Sequence, residues 1–470
     1  MTRVTARRAV VVGYGLTALL LAIALLQVLR SGTDSANTSA PGYLPLAYAA
    51  TAVLLAVFVT AAFIRRIDLT VGRAFPSLVG AVSAVVSLVP WWAVWAGSAD
   101  LGATIYRGIR VPQGIVQFWD LVLPLQSIDC AAWGFDVYAE NNGCLADPSI
   151  YGPGVLWLQY VPFDLFSEKY ATGLGVAAML VSSLALLWLA RNSAGVGQVV
   201  LLVAAVGGPW LLLLERGNLD ATLLWAAVAA VIVVRRWNAL WAWSLAAAAF
   251  WLLGTWKYYP FAMGLMLLPV LRLRHGWTVI VGYAIAVVAF MALTWDNFRF
   301  STQSNENMID FGDFVVLGRV PVVARMLGTV VGAEGLQAGD VIMFLLALAA
   351  VGWGVAVAMS TGKRLVHPAM LAGAGSAMFL ASVLVAGFGY GYKATFLLLG
   401  VPLVAALTRD KSSVVVSSSA AILILLAITA VVVWNTVLVT LAGVIVASFI
   451  LGLSAVLLLR FVAPALRRAG

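Results

Sequence analysis

A single aspartate in a short polar segment is the residue of this chain best suited to acid–base chemistry. Asp120 lies in Gln-Phe-Trp-Asp-Leu (117–121), on a short amphipathic element expected beside the membrane. A carboxylate at a membrane boundary can accept the proton of a substrate hydroxyl, and general-base help of this kind contributes about 10²–10⁴-fold to a rate. Asp120 is therefore the candidate catalytic base. The alternative interpretation is that its carboxylate caps a helix or faces water.

Other polar residues follow Asp120 or stand between apolar runs. Gly-Phe-Asp-Val-Tyr (134–138) and Tyr-Gly-Pro-Gly (151–154) come after it, and Glu-Arg-Gly-Asn-Leu-Asp (215–220) joins two runs with almost no room for a loop. A tight turn would explain the glycine and the asparagine of that last segment, but not its arginine and second acid. With the tyrosines described next, the candidate substrate-binding residues are Asp136, Tyr138, Tyr151, Glu215, Asn218, Asp220, Tyr258, Tyr259, Tyr390 and Tyr392.

Two further segments combine a lysine with tyrosines, Lys-Tyr-Tyr-Pro at 257–260 and Tyr-Gly-Tyr-Lys at 390–393. Tyrosines at a membrane boundary are expected as an interfacial belt, so the lysines are the more informative residues. Arg216, Lys257 and Lys393 are three cations suited to a phosphate or pyrophosphate held at the level of the lipid headgroups. They are the candidate phosphate-binding residues.

Membrane-spanning helices must position these segments. The 470 residues are 63% hydrophobic and only 10% charged, whereas soluble domains carry about 25% charged residues. A helix needs about 20 apolar residues to cross the hydrocarbon core, and the apolar runs do not alternate as barrel strands do. The sequence predicts an all-α polytopic membrane protein of about 14 spans (roughly 12–14), near 9–29, 44–64, 76–96, 171–190, 197–214, 219–234, 238–254, 258–271, 278–295, 341–359, 369–387, 394–408, 416–434 and 437–459.

The distribution of charge orients these spans. With both termini in the cytoplasm, the cytoplasmic segments hold 18 of the 28 basic residues and only two acids, Asp68 and Asp410. Positive charge collects on the cytoplasmic side of membrane proteins, so topology explains the net charge of +9 and nucleic-acid binding is not indicated. Residues 1–30 are interpreted as the first membrane helix rather than a cleaved signal peptide. The candidate site then faces the exterior of the membrane.

The chain is predicted to form one membrane domain, 1–470, with two long exterior loops at 97–170 and 296–340. Loops of this length usually carry function or structure of their own. The first is expected to contain a short amphipathic helix at the membrane interface, shortened or kinked by Pro124. The apolar face of that helix would consist of Phe118, Leu121, Val122 and Leu125.

Only two cysteines occur, Cys130 and Cys144, and both lie in the first exterior loop. A disulfide between them is expected because the exterior compartment is oxidising. Two free thiols are the alternative. A zinc site is not expected, since both histidines, His275 and His367, fall in cytoplasmic segments. The sequence indicates no cofactor and gives no sign of a divalent metal.

Taken together, these motifs resemble the polyprenyl-phosphate-dependent membrane glycosyltransferases of the GT-C superfold. They are most similar to bacterial glycosyltransferase family 87, which includes mycobacterial mannosyltransferases. The resemblance implies an inverting, single-displacement transfer of a sugar from a polyprenyl-phosphate donor to a glycolipid or glycan acceptor. It also implies an exterior-loop aspartate as base, a role that would fall on Asp120. That aspartate usually follows the first membrane helix in the family, which makes Asp34 a rival.

Two other classes of protein would suit the same topology, a lipid-linked oligosaccharide flippase or other transporter and a surface polysaccharide polymerase or ligase. A transporter should carry polar residues at the bilayer midplane, broken helices and repeat symmetry. Here the ionisable residues instead cluster at one face. Walker-type, HExxH, GxSxG and kinase motifs are absent from the sequence, so it gives no support for nucleotide hydrolysis or peptidase chemistry.

The predicted orientation can be tested by thiol labelling. A cysteine introduced at Asn305 should react with an impermeant thiol reagent added to intact cells, whereas one introduced at Lys363 should react only after lysis. The reason is that the basic excess places residue 305 outside and residue 363 inside. The reverse labelling pattern would move the candidate site to the cytoplasm.

Overall fold

The computed structural model describes residues 74–96, 118–139, 143–145, 148–298, 338–362, 366–386, 391–431 and 436–469. The predicted all-helical class is confirmed over these ranges, which contain no strand. The first two predicted spans, Asp34, Tyr390 and most of the loop 296–340 lie outside the described residues.

Thirteen α-helices are described in these ranges: α1 (Phe75–Trp95), α2 (Trp119–Ala132), α3 (Ala171–Arg191), α4 (Gly195–Ala205), α5 (Gly208–Glu215), α6 (Asp220–Trp237), α7 (Leu240–Lys257), α8 (Trp277–Leu293), α9 (Ala338–Ser360), α10 (Val366–Ala386), α11 (Val401–Leu407), α12 (Ser413–Val431) and α13 (Thr436–Ala469). Five 3₁₀ segments join them: Pro153–Tyr160, Pro162–Asp164, Glu168–Tyr170, Tyr259–Arg272 and Gly391–Gly400.

Several of these helices suit a bilayer. Among the described residues, four stretches are long and apolar enough to cross a membrane, within α1, α3, α12 and α13. The bent pair α4–α5 makes a fifth if it forms one span. A helix satisfies its backbone hydrogen bonds internally, which is why so apolar a chain folds this way. The fuller count of about 14 spans stays a prediction.

Two of the shortest predicted spans contain 3₁₀ helix. Tyr259–Arg272 is 14 residues long, and Gly391–Gly400 adds 10 residues ahead of α11. Because a 3₁₀ helix rises about 2.0 Å per residue instead of about 1.5 Å, 14 residues extend over about 28 Å. That length approaches the hydrocarbon thickness of about 30 Å. In the predicted spans, this longer rise would compensate for the small number of residues.

The predicted span 197–214 is broken. Helices α4 and α5 meet at an angle of 51°, and Val-Gly-Gly-Pro (206–209) stands at the break. Glycine is a weak helix former and proline cannot donate a backbone hydrogen bond, so this sequence interrupts the helix. After the break, α5 ends at Glu215, next to the turn that carries Arg216 and Asn218 of the candidate site.

Charged residues collect at the two ends of the helices. Helix α6 begins with Asp220 and ends with Arg235 and Arg236, and Arg272 ends the 3₁₀ segment that begins two residues after Lys257. At the end opposite the site, Arg235 donates to Asn192 Oδ1 at 3.2 Å. There too Arg460 donates to the Ala358 and Thr361 carbonyls, and Thr361 donates to Asp410. The apolar bodies of the helices separate these two polar layers.

Helix α2 corrects two expectations about the first loop. It runs for 14 residues through Pro124 and is not brief. Proline lacks the N–H that would bond the carbonyl four residues earlier, that of Asp120. The Tyr151 hydroxyl donates to this carbonyl instead, at 3.0 Å.

The second correction concerns the apolar face of α2. The side chains expected at the membrane interface are all buried in the protein: Phe118, Leu121, Val122 and Leu125. They belong to one hydrophobic core with the neighbouring helices. The same apolar pattern serves an interface or a core equally well, so the sequence did not distinguish the two. Helix α2 is therefore held by protein contacts along this face.

A disulfide closes the loop that follows α2. Cys130 and Cys144 are bonded to each other, the pairing expected from their shared loop. Cys130 is a buried residue in the last turns of α2. Cross-linking a loop of this length restricts the unfolded chain, an effect worth about 3 kcal/mol in the chain-entropy model. The bond therefore fixes the end of α2 opposite Asp120.

Candidate functional site

Four chain segments that are distant in sequence bring their polar side chains into one cluster. They are the start of α2, the turn between α5 and α6, the end of α7 with the first residue of the next segment, and the start of Gly391–Gly400. The side chains linked there are Asp120, Arg216, Asn218, Asp220, Lys257, Tyr259 and Tyr392. Each was predicted as a site residue from sequence, and we call this group the polar cluster.

Asp120 is held by two side chains from the α5–α6 turn. Arg216 Nε lies 3.2 Å from Asp120 Oδ1, and Asn218 Nδ2 donates to Asp120 Oδ2 at 2.7 Å. Burial raises the pKa of the Asp120 carboxyl, while Arg216, Asn218 and Lys257 act in the opposite direction. Because each carboxylate oxygen can accept about two hydrogen bonds, Asp120 keeps capacity for a proton.

Asn218 connects the two acids of the polar cluster. Its amide oxygen accepts hydrogen bonds from Lys257 Nζ at 2.7 Å and from the Asp220 backbone N–H at 3.0 Å. Both partners are donors, so they fix the oxygen side of the amide. The nitrogen side therefore faces Asp120 and the Tyr392 hydroxyl, which lies 2.7 Å away. The amide orientation ties the position of Asp120 to that of Lys257.

Asp220 is fully buried and pairs with a lysine. Lys257 Nζ lies 2.7 Å from Asp220 Oδ1, and the Tyr259 hydroxyl donates to the same oxygen. Among the described residues Asp220 Oδ2 has no hydrogen-bond partner. A charge in so apolar a setting is tolerated only when it is paired, so Lys257 and Tyr259 together offset the cost of burying Asp220 there.

Backbone hydrogen bonds dock the start of α2 on the α5–α6 turn. Phe118 N–H donates to the Glu215 carbonyl at 3.1 Å, and Asp120 N–H donates to the Arg216 carbonyl at 3.0 Å. Gly217 has a φ of +60°, and a Cβ there would lie 3.0 Å from the Phe118 ring. Glycine at 217 therefore satisfies both the turn and the close approach of α2.

The Tyr-Gly-Pro-Gly segment packs against the end of α7. Gly152 N–H donates to the Trp256 carbonyl at 2.7 Å, and a Cβ at Gly152 would lie 2.2 Å from the Thr255 carbonyl oxygen. This approach places the Tyr151 ring 5.6 Å from Lys257 Nζ. Tyr151 thus contacts the polar cluster at two points. Its ring lies near Lys257, and its hydroxyl donates to the Asp120 backbone carbonyl.

Lys393 differs from the other two predicted cations. Its side chain is only 8% exposed, and its ammonium group lies 5.4 Å from the centre of the Tyr259 ring. Whereas Arg216 and Lys257 each have a carboxylate partner, no carboxylate of the described residues lies within ion-pairing distance of Lys393. Its charge is balanced only by the ring and by the more distant Asp220.

Other predicted site residues stand beside the polar cluster. Asp136 is exposed, and its carboxylate accepts the Tyr138 backbone N–H within a local turn. Tyr138 donates to the Tyr151 carbonyl at 3.1 Å and so supports the neighbouring segment. The Tyr258 ring packs 5.1 Å from that of Phe298, among aromatic residues. Glu215 is buried, and its backbone carbonyl takes part in docking α2.

Sequence reasoning missed Asp129, which joins α2 to the start of α3. Its Oδ2 accepts the Ser167 hydroxyl at 3.1 Å and the Glu168 backbone N–H at 3.0 Å. The only signal in the sequence is an acid beside Cys130 in a mainly apolar helix. Asp129 organises the scaffold rather than the polar cluster.

The chemistry available to the polar cluster is that of its charged side chains. Within the described ranges, no group of three or more His, Cys, Asp or Glu residues is arranged to hold a metal ion. The cluster offers the carboxylates of Asp120 and Asp220 and two ion-paired cations, and Lys393 beside it adds a cation with no carboxylate partner among the described residues. These groups suit proton transfer and the binding of an anion.

Comparisons with known proteins do not assign this chain to a family. No protein-family model matches it, and neither a curated protein nor a solved structure is significantly similar to it.

The buried ion pair makes a prediction for stability. Lys257→Met should lower the free energy of unfolding in detergent by about 3–5 kcal/mol, because it leaves the Asp220 charge buried without its partner. The double variant Lys257→Met/Asp220→Asn should be less destabilised than Lys257→Met alone. Denaturant unfolding followed by tryptophan fluorescence measures both effects.

The exposed ion pair Lys169–Asp164, at 3.4 Å, supplies the matched control. Lys169→Met should change stability little, because an exposed pair is solvated and screened. Equal losses for Lys169→Met and Lys257→Met would contradict a special role for the buried pair.

Proposed function

We propose that this protein is a membrane glycosyltransferase that moves a sugar from a polyprenyl-phosphate donor to a cell-envelope glycolipid or glycan. The observation that carries the proposal is the polar cluster itself. It holds a carboxylate suited to act as a base in a supporting network, and the buried cation Lys393, which has no carboxylate partner among the described residues, lies beside it at Tyr259. The order of the motifs along the chain, which resembles that of glycosyltransferase family 87, supports the same assignment.

In the proposed reaction Asp120 acts as the general base. The acceptor oxygen attacks the anomeric carbon, and its proton passes to the Asp120 carboxylate as the new carbon–oxygen bond forms. The bond between the anomeric carbon and the phosphate oxygen breaks, and the polyprenyl phosphate leaves with the electron pair. Attack opposite the leaving group inverts the anomeric configuration. Arg216 and Asn218 orient the carboxylate for this step.

Lys393 is proposed as the principal contact of the donor phosphate. A phosphate brought to this position would provide the anion that the buried ammonium group lacks. Arg216 and Lys257 are already paired with Asp120 and Asp220, so they would share their remaining donors with the phosphate. The polyprenyl chain would lie in the bilayer, and the sugar would point toward Asp120.

The site is proposed to face the exterior of a bacterial plasma membrane. The positive-inside rule supports this orientation, because the arginine-rich ends of α3, α6 and Tyr259–Arg272 fall on the side predicted to be cytoplasmic. A disulfide between Cys130 and Cys144 also fits an oxidising compartment next to the site.

The broken helix α4–α5 favours a second candidate, a transporter of lipid-linked sugars. Discontinuous helices are common in transporters, where they surround polar binding sites at the midplane. Here the residues at the break are apolar or glycine, and the polar groups next to it are Trp210 and Ser83, which bond each other at 2.9 Å. No ionisable residue stands at the break, which is why we prefer the transferase.

Replacing the base tests the proposal. In proteoliposomes given polyprenyl-phosphate sugars, Asp120→Asn should lower transfer by about 10²–10⁴-fold, because the amide keeps the shape but cannot take the proton. Asp164→Asn, at an exposed site, and Asp34→Asn should transfer at nearly the original rate. An inactive Asp34→Asn beside an active Asp120→Asn would exchange the assigned roles, whereas sugar translocation without transfer would favour the transporter.

Donor binding should separate from chemistry. Lys393→Gln should weaken binding of a labelled donor, whereas Asp120→Asn should bind it nearly as well as the unaltered protein. Equilibrium binding in nanodiscs measures both. If Lys393→Gln binds the donor with unchanged affinity, the phosphate site lies elsewhere.

Transfer activity should fall on the acid side at a pH above the range in which an aspartate ordinarily titrates; we call this fall the acid limb of the pH profile. Burial raises the pKa of Asp120, so transfer at saturating donor should fall as the pH drops through this raised value. Arg216 counteracts the rise; Arg216→Gln should therefore move the acid limb to higher pH. Arg235→Gln, at the opposite end of α6, is the control and should leave the limb in place. If the acid limb does not move in Arg216→Gln, the group that controls it is not Asp120.

A further inference from the structure

A strip of large apolar side chains between the site and α3 is exposed. It consists of Trp157, Tyr160, Phe163, Leu165 and Tyr170, and we call it the aromatic strip. Tyr160 is 78% and Phe163 92% exposed, far more than large apolar residues usually are in a folded chain. Several exposed large apolar side chains within one short segment indicate a contact with a partner or a membrane.

The backbone directs Phe163 outward. Phe163 and Asp164 have φ values of +67° and +48°, and this region is unfavourable for a bulky residue such as Phe163. A core contact does not compensate for the strain, because the ring is the most exposed of the strip. Contact of the Phe163 ring with an apolar environment outside the protein would compensate for this strain.

The position of the strip relative to the membrane identifies that environment. The stretch Glu168–Arg191 is long and apolar enough to cross a bilayer, and the strip occupies the residues just before it and its first turn. At its other end Trp157 packs on Trp251 and Phe290, at ring separations of 5.7 and 6.4 Å. The strip thus meets α7 and α8 at Trp157 and leads along the chain to the start of α3.

We propose that the aromatic strip inserts into the boundary between lipid headgroups and acyl chains. Tyrosine and tryptophan rings favour this depth because they are apolar with a polar edge. The charged residues of the segment, Asp164, Glu168 and Lys169, would remain among the headgroups. They do not form a basic patch, so apolar burial rather than attraction to anionic lipid drives the insertion.

The strip is connected to the helix that carries Asp120. Asp129 of α2 accepts hydrogen bonds from Ser167 and from the Glu168 backbone, and Gln126 donates to the Glu168 carboxylate at 3.0 Å. An anchored strip therefore fixes α2 relative to the bilayer surface. The insertion itself does not depend on the proposed transferase activity.

Site-directed spin labelling tests the proposal in the full-length protein. Because Cys130 and Cys144 are bonded to each other, Phe163→Cys carries one reactive thiol. Leu184→Cys, exposed on the body of α3, serves as the lipid reference, and Lys411→Cys, exposed in a polar turn, serves as the aqueous reference. The probe is the ratio of collision rates with oxygen and with a neutral nickel chelate in phosphatidylcholine nanodiscs.

We expect the ratio at residue 163 to exceed that at residue 411 several-fold and to approach that at residue 184. A ratio equal to that at residue 411 would mean that the strip is in water and would overturn the proposal. Low collision rates with both reagents would mean that other protein covers the strip, which would also overturn it. If Phe163→Cys does not fold, Tyr160→Cys gives the same test.

Discussion

The rest of the site depends on one constraint, that a charge removed from water must have a partner. Asp220 is fully buried, and a lone carboxylate there would be strongly destabilising. Lys257 and Tyr259 supply its partners, and both come from the end of α7 and the residues that follow it. This requirement selects the relative position of α6 and α7, because another register would leave the carboxylate unpaired.

The same constraint extends through Asn218 to Asp120. Lys257 holds the Asn218 oxygen, so the Asn218 nitrogen must find acceptors on the other side, and Asp120 and Tyr392 provide them. Helix α2 is docked by its apolar face and by two backbone bonds to the α5–α6 turn. Packing and electrostatics therefore agree on one position for Asp120.

Much of this site was predictable because charged residues are rare in the chain. Asp120, Arg216, Asp220 and Lys257 stand out against an apolar background, and the lengths of the helices indicate which ends they share. Their pairing was not predictable, since it depends on the approach of α2 to the α5–α6 turn. The helix after Phe118 was predicted too short because the compensation of Pro124 by Tyr151 joins positions 27 residues apart in sequence.

Ion pairing alone explains Arg216 and Lys257 but not Lys393. A buried ion pair seldom stabilises a protein more than apolar residues of the same volume would, so such groups are retained for specificity or for function. Arg216 and Lys257 have carboxylate partners and fix the arrangement of helices. Lys393 has the Tyr259 ring beside it and no carboxylate within pairing distance among the described residues, so it adds the cost of burial without fixing a register. Among the three cations, it is the one that pairing within the described residues leaves unexplained, and the proposed contact with the donor phosphate rests on it.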